Sequence, residues 1–356
     1  MLLQAQSPAD VAQAAQLLAQ GDLLGLPTET VYGLAADAGQ DAAVRRIFAA
    51  KGRPPDHPLI VHVSSADAVS DFARAVPDFA QRLMAAFWPG PLTLILPRRP
   101  DRAALAAGGQ DSVGLRCPAH PAAQAVLRQA RALRVLGVAA PSANLFGRVS
   151  PTTAAHVQSE FPTLAVLDGG ACAVGIESTI VDCTRGVPVL LRPGVLTPDL
   201  LSAAAGVPVR VPGASASLAS PDAGVPLQAP APRASGTLES HYAPHARVRL
   251  FSAAQLREQL RSPAAPLAHT PAAPGHARAA APSVAVWSRA RPDALPPGIC
   301  HQTMPERAAD CAHQLFAVLR DFDARSVHEI WVEAPPPGPE WDGVRDRLRR
   351  AASPNR

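Results

Sequence analysis

Apolar positions along the chain fall into two rhythms. Short runs rich in β-branched residues recur at Leu59–Val63, Leu92–Leu96, Leu164–Leu167, Thr179–Val181 and Val187–Leu191. Runs of that length bounded by turn residues predict buried strands. Between several of them lie Ala-rich stretches with helical character, over 8–20, 41–50, 66–75, 78–87, 119–131 and 152–160. Ser7 followed by Pro8 reads as the cap and first-turn proline of the opening helix. The alternation predicts one α/β domain over residues 1–206.

The rhythm stops after about Val207. Segment 212–235, PGASASLASPDAGVPLQAPAPRAS, is almost all Pro, Ala, Ser and Gly. That composition marks a linker, assigned to 207–245. A second domain, 246–356, then reads strand (Val248–Phe251), helix (253–260), Pro/Ala-rich loop (262–282), strand (Ser283–Trp287), helix (306–322), strand (Val327–Val332), helix (340–351). Three strands alternating with helices predict a small parallel, Rossmann-like unit. It carries neither a GxGxxG run nor a P-loop, so the pattern alone assigns it no nucleotide chemistry.

Composition sharpens this picture at one residue. Hydrophobic residues make up 47% and charged ones 17%, which excludes a wholly disordered chain. Of 33 basic residues, 32 are Arg and one is Lys, Lys51. A drift toward Ala, Pro and Arg replaces Lys wherever a plain positive charge suffices. A lysine that escapes it is either a chance survivor or has a task Arg cannot perform. Residues 1–206 carry 16 basic and 16 acidic groups, so the net charge of +4 lies in the second half. The last twelve residues hold five arginines against Asp346 alone. Such a tail is either a nucleic-acid contact or, as preferred here, a solvated helix end. There is no apolar run of about 18 residues, so no membrane span is expected. MLLQAQSPAD has no signal-peptide pattern, and the five cysteines form no CxxC pair. A cytoplasmic, reducing location is the expectation.

The polar residues of the first domain gather in five blocks: LPTETVYGL (26–34), KGRPPDHPLIVHV (51–63), VGLRCP (113–118), APSANLFGRVSPT (140–152), and GIESTIVDCT with LLRPG (175–184, 190–194). Each joins a strand-like run to Pro/Gly turns, where α/β domains place ligands. In the second block, prolines stiffen the path between Lys51, Arg53, His57 and His62. Two cations one residue apart suit a polyphosphate, Arg as a fork and Lys as a point charge. A solvated loop with a casual basic pair is the competing reading. PSAN and SPT supply Ser142, Asn144, Ser150 and Thr152, either as ligand contacts or as local turn-formers. LRCP and RPG each set an Arg at a strand end, Arg116 and Arg192, where it needs an anion or a structural salt bridge. If LPTETVYGL is extended, Thr28, Thr30 and Tyr32 share one face and Glu29 and Val31 the other.

Taken together, the five blocks resemble the threonylcarbamoyl-AMP synthase family, the YrdC-type enzymes, in the long form with an extra C-terminal domain. The resemblance covers residues 8–206 closely and includes ASGTLESHYAP (234–244), similar to the family's linker motif ending in HYAP. It implies an α/β fold with a twisted mixed sheet around a basic concave cavity. It also implies a nucleotidyl transfer in which L-threonine, bicarbonate and ATP give threonylcarbamoyl-adenylate and diphosphate. The product would serve N6-threonylcarbamoyladenosine formation on tRNA. Carried over by motif position, Lys51, Arg53, Ser142 and Asn144 match the Lys-x-Arg and Ser-x-Asn signature. ATP contacts would be Arg53, His57, Ser112, Ser142, Ser150, Arg192 and Tyr242. L-Threonine contacts would be Thr30, His62, Arg116, the Ala140 backbone and Ser178. His57 stands where many members have Asn, and Ser112 where Thr is common. Mg2+ is expected as the partner of ATP, with no dedicated protein metal site. A downstream tRNA threonylcarbamoyl transferase is an implied partner, and direct tRNA contact is left open. Residues 234–244 are expected to fold back as a lid. Two other readings compete. One is a non-catalytic RNA-binding module, disfavoured by the zero net charge of 1–206 and the few aromatics. The other is a carbamoyl-transfer domain of a hydrogenase-maturation protein, disfavoured by the absence of CxxC.

Overall fold

The computed structural model describes residues 1–212, 230–261, 283–292 and 294–353. They divide into two compact units. The first comprises Met1–Phe146 and Ser150–Leu238, the second Gly147–Val149 and Glu239–Arg356. Most of the Pro/Ala-rich segments, 213–229 and 262–282, lie outside the described residues.

The first unit runs β1 (Leu2–Gln4), α1 (Pro8–Ala19), β2 (Leu24–Leu26), β3 (Gly33–Asp37), α2 (Asp41–Lys51), β4 (Ile60–His62), α3 (Asp78–Phe87), β5 (Leu92–Pro97), β6 (Ser112–Arg116), α4 (Pro121–Ala132), β7 (Val138–Ala139), α5 (Ala154–Glu160), β8 (Ala165–Asp168), β9 (Thr179–Asp182), β10 (Val189–Arg192) and α6 (Pro198–Ala205). Among the described residues its strands form one ten-stranded sheet in the order β1-β8-β2-β3-β7-β4-β6-β5-β9-β10. The sheet is mixed: β4–β6 and β5–β9 run parallel, whereas β5–β6, β4–β7 and β9–β10 run antiparallel. Two apolar clusters pack on it, one around Leu34, Val61, Phe72, Leu94 and Leu115, the other around Leu18, Leu24, Val126 and Leu167. Helix α1 starts as its sequence dictates. The Ser7 hydroxyl accepts from the Asp10 amide, Pro8 occupies the first turn, and Ala14, Ala15 and Leu18 are buried.

The expected helix over 66–75 is instead a single 3-10 turn, Asp67–Asp71. The backbone beyond it is claimed by the chain after β5: Arg74 N–H donates to Pro97 O, and Arg99 N–H to Phe72 O. These bonds tie the backbone beyond Asp71 to the neighbouring chain instead of continuing the helix.

The second unit holds β11 (Arg247–Phe251), α7 (Ala253–Arg261), β12 (Val284–Ser288), β13 (Ile299–Thr303), α8 (Ala308–Ala324), β14 (Glu329–Glu333) and α9 (Asp342–Ala352). Among the described residues its sheet, β11-β14-β12-β13, is wholly parallel, with four strands rather than three. The strand absent from the sequence reading is β13, ICHQT, a half-buried edge strand paired only to β12. The arginines of α9 also depart from expectation. Arg347 is fully buried, and Asp346 gathers Arg347, Arg349 and Arg350 at 3.0–3.2 Å. Two of these three are therefore packed structure, since Arg350 retains only 11% side-chain exposure, and of the three the solvated helix end holds for Arg349.

Candidate active site

Lys51 is the last residue of α2. Gly52 caps that helix in the left-handed region, at φ 62°, and turns the chain sharply into the Pro-rich loop. The side chain, 2% exposed, is aimed inward, where Nζ donates to Ser142 O at 2.6 Å and Asn144 O at 2.5 Å. An ammonium has three donors, so one remains for a ligand. Burial and the nearby Arg53 charge push its pKa well below the usual lysine value, against the pull of Glu160 and Glu177. The sole lysine thus ties KGRP to PSAN with a single compact donor atom.

Arg53 and Arg192 meet across one residue. Arg53 Nη2 donates to Pro58 O at 2.9 Å and to Ser235 Oγ at 3.4 Å. Arg192 donates from Nη1 to Ser235 O at 3.0 Å and from Nη2 to Ser178 O at 2.7 Å. The Ser178 hydroxyl shares a hydrogen bond with Thr93 at 2.7 Å. Segment Arg233–Ser235 therefore lies as a strap beside residues assigned to ATP. Ser112, at the start of β6, lines the cleft beneath it with Pro58, Gly114 and Ile180. That cleft holds a cavity volume of only about 10 Å³. The strap is fastened by exposed contacts, Arg233 to Asp56 at 3.3 Å and to Gly108 O at 2.9 Å.

The third group surrounds Arg116, at the end of β6. Its Nη1 donates to Thr30 Oγ1 at 2.7 Å and Nη2 pairs with Glu29 Oε1 at 2.7 Å, the two side chains being 5% and 10% exposed. Of the two partners the sequence left open for this arginine, the structure supplies the carboxylate. Residues 29–31 form a bend rather than an extended strand. The Thr28 hydroxyl makes it, accepting from the amides of Thr30 and Val31 and donating to Val31 O at 2.6 Å. The expected alternation of faces fails for that reason, and Thr28, Glu29 and Thr30 are all buried. Tyr32, expected on the same polar face, is fully buried and donates to Gly170 O at 2.8 Å, with burial raising its pKa.

His62 sits opposite Arg116 in the β4–β6 register. Burial and the Arg116 charge lower its pKa to about 3, so the ring is neutral, and its Nδ1 has no hydrogen-bond partner among the described residues. His57 packs edge-on against Phe146 at 5.4 Å, and its pKa falls through burial and the Arg53 charge. Arg53 also lies over the Phe146 ring at 5.6 Å. Ser150 donates to Glu177 Oε1 at 2.5 Å. The Ala140 amide is held by Ile60 O at 3.1 Å.

The first unit thus holds thirteen of the fourteen sequence-assigned residues, at the ends of β4, β6, β7, β9, β10 and α2 and in the loops beside them. Tyr242 belongs to the second unit, where its ring packs against Phe316 at 5.4 Å and under Arg347 at 5.5 Å. Sequence reasoning missed four participants: Glu29, Thr93, Glu177 and Ser235. Glu29 and Glu177 stand inside quoted motifs, and the cue was that each buried arginine or serine there needs an acceptor. Nothing in the sequence marks Thr93. Among the described residues, no group of three or more His, Cys, Asp or Glu could hold a metal, and no helix is long and apolar enough to cross a membrane.

Comparison with known proteins agrees along the chain. Threonylcarbamoyl-AMP synthases of Bacillus subtilis and Pyrococcus abyssi are each 41% identical over 66% of this chain. The matched stretch spans 65% and 66% of those relatives' own lengths. A crystal structure of Pyrococcus abyssi Sua5 complexed with L-threonine matches 99% of this chain and 97% of its own, with a TM-score of 0.80 and 32% identity. A doubly substituted form of that protein matches 99% and 96%, with a TM-score of 0.81 and 30% identity. The Sua5/YciO/YrdC family model, described as "Telomere recombination", matches residues 16–194, and the model "Threonylcarbamoyl-AMP synthase, C-terminal domain" matches 204–353. The chain therefore belongs to the Sua5/YciO/YrdC family, in its long form with the Sua5 C-terminal domain.

Proposed function

We propose that this protein is an L-threonylcarbamoyladenylate synthase, a nucleotidyltransferase acting on L-threonine, bicarbonate and ATP. The amine of threonine and bicarbonate give a carbamate and water. A carbamate oxygen then attacks the α-phosphorus of ATP, and the bond to diphosphate breaks. The product is threonylcarbamoyl-AMP, a precursor for N6-threonylcarbamoyladenosine in tRNA, taken up by a downstream tRNA threonylcarbamoyl transferase.

The observation that carries this reading is the convergence of Lys51, Arg53 and Arg192 beside the hydroxyl-lined end of β9, with Arg116 and Thr30 grouped at the end of β6. The likeness to a relative crystallised with L-threonine supports it. Positioned cations neutralise charge that develops on phosphate oxygens, and no nucleophilic side chain is needed. Arg53 and Arg192 would take phosphates, with the third donor of Lys51. Ser142, Asn144, Ser150, Ser112 and His57 would orient the nucleotide. Arg116, shared with Glu29, would take the threonine carboxylate, and Thr30, Ser178, His62 and the Ala140 backbone would surround the rest. Mg2+ would travel with ATP, held by phosphate and water oxygens, where it neutralises phosphate charge.

A cleft of about 10 Å³ beneath the strap admits no nucleotide, because small-molecule sites occupy about 300 Å³ or more. Segment 233–235 covers this cleft, and phosphate on Arg53 and Arg192 would displace its contacts with them. On this reading residues 234–235 of the 234–244 motif act as a lid. The test is incubation of the full chain with ATP, labelled bicarbonate and amino acids. Threonine-dependent diphosphate release with labelled adenylate is expected; no product with any divalent metal overturns the reading. Deleting 236–244 should raise the ATP KM or abolish synthesis, and unchanged kinetics would remove the lid.

A further inference from the structure

The parallel sheet of the second unit ends β11, β12 and β14 on one edge, at Phe251, Ser288 and Glu333. Parallel sheets bind ligands beyond the carboxyl ends of their strands. A cavity of about 860 Å³ opens at that edge, between α7 and the chain leaving β12. Its walls are of two kinds. Leu256, Leu260, Leu295 and Pro296 give an apolar side, and Arg257, Arg261, Arg289 and Arg291 give a cationic one.

The four arginines are not equivalent. Arg289 is locked to the buried Glu333: its amide donates to Oε2 at 2.8 Å, Nε to Oε1 at 3.0 Å, and Nη2 also reaches Oε1. That pair is neutral and fixes the floor. Ser288, 2% exposed, donates to Ala290 O at 2.8 Å and bonds His301 Nε2 at 2.9 Å, fixing the start of the loop. Arg257, Arg261 and Arg291 are exposed and form no ion pair among the described residues. Arg257 and Arg261 stand one helical turn apart, where like charges repel. Burial and the nearby Arg291 charge lower the His301 pKa. Three guanidinium groups with no ion-pair partner among the described residues, on the rim of this cavity, suit a phosphate, which Arg binds in fork geometry.

We propose that the C-terminal unit binds a nucleoside phosphate at this edge, with phosphate on Arg257, Arg261 and Arg291 and the base along the Leu/Pro wall. The cavity falls within the range of about 300–1,000 Å³ for small-molecule sites, and is far larger than a lone phosphate needs. β11 passes into α7 through Ser252 alone, with no Gly-rich turn, so guanidinium forks replace the backbone cradle of a dinucleotide fingerprint. This site shares no residue with the one in the first unit and stands whether or not that unit is a synthase.

The test is calorimetric titration of the full chain with AMP, ADP and inorganic diphosphate, in Arg192→Ala to weaken nucleotide binding by the first unit. AMP or ADP should bind more tightly than diphosphate. The exposed double reversal Arg257→Glu/Arg261→Glu should weaken that binding tenfold or more while leaving the melting temperature unchanged. The proposal is overturned if none of the probes binds Arg192→Ala, if diphosphate binds as tightly as ADP, or if binding ignores the reversal in a protein that still melts as the parent does.

Discussion

Replacing Glu29 by Gln tests whether Arg116 is held by a buried ion pair. The substitution keeps the shape of the side chain, and its amide oxygen can still accept from the Ala119 N–H that now lies 3.0 Å from Oε2. What it removes is the charge opposite Arg116 at 2.7 Å, where the partners retain only 5% and 10% exposure. Breaking a buried pair on one side costs about 3–5 kcal/mol, because the surviving charge stays desolvated. Arg116 keeps Thr30 Oγ1 and Gly90 O as acceptors, so the low end of that range, about 3 kcal/mol, is expected. In a domain of this size that lowers the melting temperature by about 6–12 °C. Arg116→Met in the same chain removes the orphaned charge, and the double variant should recover part of the loss. The assay is urea and thermal unfolding of the four members of the cycle. A Glu29→Gln change within about 0.5 kcal/mol of the parent, the spread of neutral surface substitutions, would refute the argument, as would strict additivity.

Three further outcomes follow from the same geometry. Lys51→Arg should reduce threonine-dependent diphosphate release at least about tenfold, since a planar fork cannot place one donor atom between two carbonyls in a 2%-exposed site; full activity would make the lone lysine a chance survivor. His62, whose folded pKa of about 3 lies below its ordinary 6.5, binds its proton more readily when unfolded. Its contribution is therefore whole above pH 6.5 and is lost as pH falls toward 3, at up to about 1.4 kcal/mol per pH unit; His62→Asn should flatten urea stability across pH 7.5 to 5, and an equal slope in both proteins would refute it. Gly194→Ala places a Cβ 2.6 Å from both the Thr179 amide and its hydroxyl, so about 1–3 kcal/mol of destabilisation is expected in urea, and an unchanged midpoint would contradict the packing at RPG.

Strands that are buried and rich in β-branched residues were readable from their own composition: β4, β5, β8, β9 and β10 each lie within or overlap an expected run. The unread ones carry no such signal. β3 is GLAAD and β6, read only as the strand end at Arg116, is SVGLR, with glycine and charge inside; each pairs with a near neighbour, β2 or β5, and with a distant one, β7 or β4. Register with β7 and β4, rather than propensity, makes them strands. In the same way β13 is polar enough to pass for a loop and is ordered by β12 alone.

The site divides along a similar line. Motif position singled out the cations as candidates, because few residue types can replace an ammonium or a guanidinium where a phosphate is to be held. It could not identify their resting partners, since those depend on which loops the sheet brings together. Lys51 shows the difference. Its rarity marked it as a residue for which Arg is no substitute, and phosphate contact was the chemistry that came first to hand. In the folded chain two of its three donors are already spent on Ser142 O and Asn144 O. The property that Arg lacks is therefore a single small donor that can bridge two carbonyls inside a packed loop, leaving one proton to offer a ligand. Arg116 and Arg192 follow the same logic with Glu29 and Ser178 as their resting partners. Each of these cations already holds protein acceptors before a substrate arrives. Binding at this site is then an exchange of partners, and its affinity is set by the difference between substrate and resting contacts rather than by the number of charges lining it.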